Sequence, residues 1–370
     1  MVLGLSKGLA DHGVDVTILT TDANGDVGQA PLDVPINQPV EQFGYHIRYF
    51  RCSPFRRYKF SLNLLNWLSQ NAHQYDLAHI HALFSPVSSF AATIARSQQL
   101  PYILRPLGTL DPADLQKKKW LKQIYAALLE RPNLAGSAAV HFTSDQEAKT
   151  SERFGVATQD WVIPLGVELP AAAAMSQTEV RQRLGITDQH PIVLFMSRID
   201  PKKGLNLLLP ALEQLQLEGV PFHFVLAGGN PQDPQYETQI REQIQTSVLA
   251  GCTTLTGFVS GAFKTQLLKA ADLFVLPSYY ENFGIAVAEA MTVGVPVVIS
   301  DQVHIWHDIE QAQAGWICAC GVAALTENLR AALQNPNARN QRGANAQTYA
   351  LQHYSWAAIA QQMIQAYTNL

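Results

Sequence analysis

Two glutamates, Glu281 and Glu289, stand with seven residues between them where a hydrophobic run ends at Pro277 and a helical pattern begins near Gly284. Carboxylates at such a junction suit recognition of paired hydroxyls, as on a ribose or a hexose. Gly284 lets a ligand come close to the backbone, and the free amides of a first helical turn form a site for an anion or a hydroxyl. Taken alone, the two glutamates fit equally well a helix cap and a solvated helix face. A second segment, Ser197-Arg198-Ile199-Asp200-Pro201-Lys202-Lys203-Gly204, follows another hydrophobic run and precedes another helix. Arg198 falls at a strand end, where open α/β sheets bind ligands. Its guanidinium offers phosphate a bidentate fork and Lys203 a point charge, and the short spacing puts both on one loop. An isolated Arg/Lys pair is otherwise a solvated basic turn.

The elements that must position these residues follow from patterning. Short apolar runs alternate with helical patterns throughout, which predicts parallel α/β sheets. Strands are expected at 14–20, 46–50, 77–81, 102–105, 139–143 and 161–164, then at 192–197, 223–227, 254–257, 273–277, 295–300 and 315–318. Most are near-continuous hydrophobic runs, as in strands covered on both faces. The stretch 169–176 lacks alternation and reads as a linker. It separates a domain at 1–170 from one at 178–352, followed by an amphipathic helix at 353–370 with Ser355 as its N-cap. The chain opens directly on a helical pattern at 1–13, although a doubly wound domain normally starts with a strand and a Gly-rich turn. Either the true beginning lies upstream or this domain lacks its first strand.

At 370 residues the chain fits two domains of ordinary size, and 47% hydrophobic residues give ample core. A net charge of −4 provides no global field for nucleic acid. The cysteines Cys52, Cys252, Cys318 and Cys320 have no metal-ligand spacing and read as reduced thiols. With no leader pattern and no apolar run of spanning length, the expected location is cytoplasmic.

The ordered string Arg198…Lys203-Gly204, Leu226-Ala227-Gly228-Gly229, Gly257-Phe258-Val259, Ala271-Asp272, Pro277-Ser278…Glu281…Phe283-Gly284…Glu289-Ala290-Met291…Gly294-Val295-Pro296-Val297-Val298 resembles the GT-B glycosyltransferases of family 4, the group 1 glycosyltransferases. In the first half, Asp76-Leu77-Ala78-His79-Ile80-His81, Pro101-Tyr102-Ile103-Leu104-Arg105-Pro106 and Ile163-Pro164-Leu165-Gly166-Val167 resemble it too, so the likeness covers essentially the whole chain. The resemblance implies two Rossmann-like domains facing across a cleft, an acceptor-binding first domain and a nucleotide-sugar-binding second one. A retaining transfer of a hexosyl group follows, from a UDP- or GDP-linked donor to a saccharide or lipid-linked acceptor in polysaccharide or glycolipid assembly.

Carried onto this sequence, the resemblance implies that Arg198 and Lys203 bind the donor diphosphate. It sets Asn282, Phe283, Gly284 and Ile285 at the donor sugar with Gly228 nearby, Glu281 on the sugar hydroxyls and Glu289 on the ribose. His81 and Arg105 fall on the acceptor side. No Asp-x-Asp motif appears, so no donor-bound metal and no cofactor are expected. Many relatives carry a His after the fourth strand of the first domain, and Leu107 takes that place here. The competing expectation is a sugar-nucleotide binder impaired by loss of the first strand and its Gly-rich loop. A nicotinamide oxidoreductase is disfavoured, because no Gly-x-Gly-x-x-Gly follows a first strand.

Other residues leave alternatives open. His79 and His81 suit a structural or acceptor-side role better than metal ligation, and His304 and His307 read as loop packing. Lys117, Lys118, Lys119 and Lys122 lead a helix with Trp120 among them and with Ile124, Tyr125, Leu128 and Leu129 opposite. Arg48, Arg51, Arg56, Arg57 and Lys59 add a second basic cluster. These are either solvated faces or a patch that meets anionic lipid headgroups.

Overall fold

A computed structural model describes residues 1–25, 29–53, 59–115, 119–169, 171 and 175–370, without the side chains of 113, 114 and 119. Arg56, Arg57, Lys117, Lys118 and half of the expected linker, Pro170 and residues 172–174, lie outside the described residues. The chain forms two compact units, Met1–Gly166 with Trp356–Leu370, and Val167–Ser355.

In the first unit, β1 (Thr17–Thr21), β3 (Tyr45–Phe50) and β2 (Pro39–Gln42) form one sheet in the order β1-β3-β2. A second sheet runs β4 (Ala78–His81), β5 (Tyr102–Arg105), β6 (Ala139–Phe142) and β7 (Asp160–Val162), all parallel. Sequence patterning missed β2, which pairs antiparallel with β3. Its proline suits an edge strand. Its turn puts Phe43 and Gly44 at φ 49° and 81°, the left-handed pair that tight hairpins need. The first described element is the helix Val2–Ala10, and β1 and β4 each end a sheet on one side.

The last helix, Trp356–Thr368, packs on the first through a slot made of glycines. A Cβ on Gly4 would come within 2.3 Å of the Trp356 indole, and one on Gly166 equally close. Leu5, Leu9, Ile163, Ile359 and Met363 close that core.

The second unit holds one parallel sheet. Its strands are β8 (Ile192–Met196), β9 (His223–Ala227), β10 (Thr253–Gly257), β11 (Leu273–Leu276), β12 (Val297–Ser300) and β13 (Gly315–Cys318), in the order β10-β9-β8-β11-β12-β13. Every residue of β8, β9, β11 and β12 is buried, which explains their unbroken apolar runs. The strand order turns back between β8 and β11. Open α/β sheets bind ligands at the carboxyl ends of the strands at such a switch point.

Candidate functional site

Both charged segments leave the sheet at that switch point, one after β8 and the other after β11. After β8, the Asp200 carboxylate accepts from Lys202 N at 3.0 Å and opens a one-turn helix, Pro201–Lys203. Gly204 ends the turn at φ 74°, where a Cβ would also lie 2.0 Å from Pro277 O. Only glycine satisfies both demands, so this residue seats the β8 loop on the β11 loop. Tyr279 N then donates to Lys202 O at 2.8 Å, and Asn206 Nδ2 to the Tyr279 hydroxyl at 2.9 Å.

Across this contact the Lys203 ammonium donates to the Glu281 carboxylate, with 14% and 22% of the two side chains exposed. The backbone of Glu281 is fixed by the loop after β12: its N–H donates to Gln302 O at 3.0 Å, and its carbonyl accepts from His304 N at 3.0 Å. Three loops thus hold one carboxylate. The ring of His304 packs edge-on to Tyr280, and His307 stacks on Trp306.

Gly284, at φ 82°, caps the helix Ile285–Thr292. Among the described residues the amides of Asn282, Phe283 and Gly284 have no hydrogen-bond acceptor, and Asn282 Oδ1 is buried without a partner. Phe283 is buried with its ring 5.3 Å from that of Tyr354, so at this turn it offers its backbone and not its side chain. Ile285 is exposed. Deeper in the helix, Glu289 is buried and accepts from Lys264 Nζ at 2.6 Å. Sequence reasoning passed over Lys264, because a lysine in the helix Gly261–Ala270 reads as a solvated face. Each of the two spaced glutamates therefore carries a lysine.

Arg198 is exposed, with its Nη1 3.4 Å from Gln232 Oε1. A Cβ on Gly228 would meet Ser197 O at 1.9 Å, so glycine lets the turn after β9 pass under the Arg198 loop. Buried Asn230, also missed from sequence, donates through Nδ2 to Ile199 O at 2.9 Å and braces that loop.

In the first unit, His81 and Arg105 are register partners at the carboxyl ends of β4 and β5. Arg105 is 2% exposed. Burial lowers its pKa to about 10, and burial followed by the Arg105 charge lowers His81 to about 3. His79 Nδ1 lies 2.8 Å from the Tyr367 hydroxyl, and His141 Nδ1 lies 3.3 Å from His79 Nε2. Burial holds both imidazoles well below the usual histidine range. Leu107 follows Arg105 by two residues, at φ 57° and 39% exposed. Among the described residues, no group of three or more His, Cys, Asp or Glu is placed to hold a metal ion.

The expected basic patches divide. Arg51 pairs with Asp22 at 2.9 Å, and Arg48 lies over Trp67, so neither stands free. By contrast Trp120, Leu121, Ile124 and Leu128 are all exposed, Leu128 by 71%. Among the described residues no helix is long and apolar enough to cross a membrane.

Residues 176–349 match the family described as glycosyl transferases group 1, and residues 1–166 match the glycosyl transferase 4-like domain. The chain belongs to the group 1 glycosyltransferases, and its α/β units are those of the GT-B fold. It is similar to alpha-D-kanosaminyltransferase of Streptomyces kanamyceticus, 30% identical over 195 residues that make up 52% of this chain and 49% of that one. It spans about half the length of this and similar curated relatives. Sucrose-phosphate synthase of Thermosynechococcus elongatus matches its fold with a TM-score of 0.74 at 22% identity, over 100% of this chain and 92% of that one. HepE of Anabaena, solved in complex with UDP and glucose, matches with a TM-score of 0.67 at 23% identity, over 88% and 86%.

Proposed function

We propose that the chain transfers a hexosyl group from a nucleoside-diphosphate sugar to a saccharide or lipid-linked acceptor, with retention at the anomeric carbon, in polysaccharide or glycolipid synthesis. The observation that carries this reading is the Lys203–Glu281 pair at the β8/β11 switch point. A diphosphate that takes over Lys203 leaves Glu281 free to accept from sugar hydroxyls. Arg198 turns from Gln232 onto the same diphosphate. Two cations preorganised where charge builds on the leaving group are a strong means of lowering the barrier. The free amides of Asn282, Phe283 and Gly284 meet the donor sugar, with Ile285 and Gly228 bounding the donor. Glu289, held by Lys264, takes the ribose. The leaving phosphate accepts the acceptor proton on the same sugar face, so no protein nucleophile and no metal is needed. His81 and Arg105 serve the acceptor.

HepE, a structural relative, is known with UDP and glucose, which favours a uridine nucleotide over guanosine. The exposed stripe Trp120, Leu121, Ile124 and Leu128, near Lys122 in the chain, supports peripheral contact with an anionic membrane. A second reading is a sugar-nucleotide binder without transfer. A donor panel separates the two. Nucleotide release that requires an acceptor, with an α-anomeric product by NMR from an α-linked donor, supports transfer with retention. An inverted product overturns retention, and tight nucleotide binding with no release supports the second reading.

A further inference from the structure

Arg105 is the largest fully buried side chain that carries a charge. Its Nε and Nη2 are both buried and have no hydrogen-bond partner among the described residues. These two N–H groups lie on the same edge of the guanidinium, the edge that grips an oxyanion with two parallel bonds. Beside it on the next strand, His81 Nδ1 is also buried without a partner. Glu147 is the carboxylate whose charge reaches Arg105, yet its oxygens are taken. Oε1 accepts from Gly108 N at 3.2 Å, and Oε2 accepts from Thr143 N and Oγ at 2.7 and 2.8 Å. A buried guanidinium with an idle fork is costly unless something anionic fills it. The fork stands at the carboxyl ends of β4 and β5, the ligand edge of an open α/β sheet.

We propose that Arg105 and His81 form an oxyanion site that takes a phosphate carried by the acceptor. Arg105 Nε and Nη2 donate to two phosphate oxygens, and His81 donates from Nδ1 to a third. His79 stacks on His81, and His141 in turn lies against His79, its Nδ1 3.3 Å from His79 Nε2, so the His81 ring is backed by packed imidazoles. The proposal rests on the transfer reading and narrows its acceptor from any saccharide to a phosphorylated one, whether a free sugar phosphate or a lipid headgroup.

The test is calorimetric titration of the full chain with glucose 6-phosphate, inorganic phosphate, glucose, and phosphatidic acid vesicles, in the wild type and in Arg105→Lys, Arg105→Gln and His81→Gln. UDP binding is measured in parallel. The phosphate ligands are expected to bind and glucose not to. Arg105→Lys keeps the charge but loses the fork, and should weaken phosphate at least about tenfold. If Arg105→Gln does not fold, the lysine and His81 variants still decide. Preference for glucose 6-phosphate over vesicles identifies a soluble acceptor, and the reverse a lipid headgroup. Absence of phosphate binding, or equal affinity in Arg105→Lys, overturns the site. Absence of phosphate binding by the wild type, with UDP binding intact, overturns this proposal alone. Phosphate binding without UDP binding overturns the donor reading alone.

Discussion

Lys203 and Glu281, 78 residues apart in sequence, form an ion pair across the carboxyl ends of β8 and β11. The pair keeps both charges in place in the absence of ligand, and it can exchange its partners for a diphosphate and a sugar hydroxyl. Lys203→Ala should therefore lower kcat by roughly 100- to 1000-fold while changing donor affinity far less. Steady-state kinetics with the preferred donor checks this. A variant that loses affinity and keeps kcat would make Lys203 a simple binding residue.

Glu289 and Lys264 are expected to behave differently, because their pair is set deeper and the proposed function puts Glu289 on the ribose, away from the reacting bond. Glu289→Ala should weaken nucleoside diphosphate binding by about 10- to 100-fold, the worth of one or two charge-assisted hydrogen bonds. It should also destabilise the second unit by about 1–3 kcal/mol, since Lys264 is left half-buried and unpaired. Adding Lys264→Met should restore the stability but not the binding. Urea melts and calorimetry on both variants separate the two effects.

Gly204→Ala tests how the two loops are seated. The residue combines φ 74° with a Cβ position 2.0 Å from Pro277 O, so alanine must displace backbone. A loss of about 2–4 kcal/mol is expected, together with lower activity, because the Lys203–Glu281 geometry depends on the contact. Urea unfolding followed by circular dichroism measures it; an unchanged midpoint would contradict the packing described.

The histidines of the first unit set its response to acid. His79, His81 and His141 all have folded-state pKa values below the ordinary 6.5, that of His81 near 3. The unfolded chain then binds more protons than the folded one as pH falls below 6.5, so stability present above that value is lost on acidification, down to about pH 3 for His81. Each imidazole contributes up to about 1.4 kcal/mol per pH unit in that window. Urea midpoints at pH 7.5, 6.0 and 5.0 should fall steeply, and a variant with all three replaced by glutamine should flatten the profile.

Much of this was legible from residues alone. The strands of the second unit are apolar on both faces because both are covered, and that burial makes their runs continuous and easy to find. Arg198, Lys203, Glu281 and Gly284 were legible because each follows a strand end, where side chains and amides have no secondary-structure duty. Lys264 was not, since its partner is set by the approach of two helices and leaves no local mark. Nor was the Trp356 slot, because Gly4 and Gly166 look like ordinary glycines until the indole is seen between them. The edge strand β2 escaped notice for a local reason: its turn requires Phe43, a residue that seldom takes a left-handed φ.

The most direct test of the account is a titration of the full chain with UDP and with GDP, compared with the Arg198→Ala/Lys203→Ala double variant. The account predicts saturable binding of one of the two nucleotides by the wild type, weakened at least about 100-fold in the variant, the effect of two lost charge-assisted contacts. Equal binding by both proteins would show that the diphosphate does not lie at the β8 loop and would contradict the site.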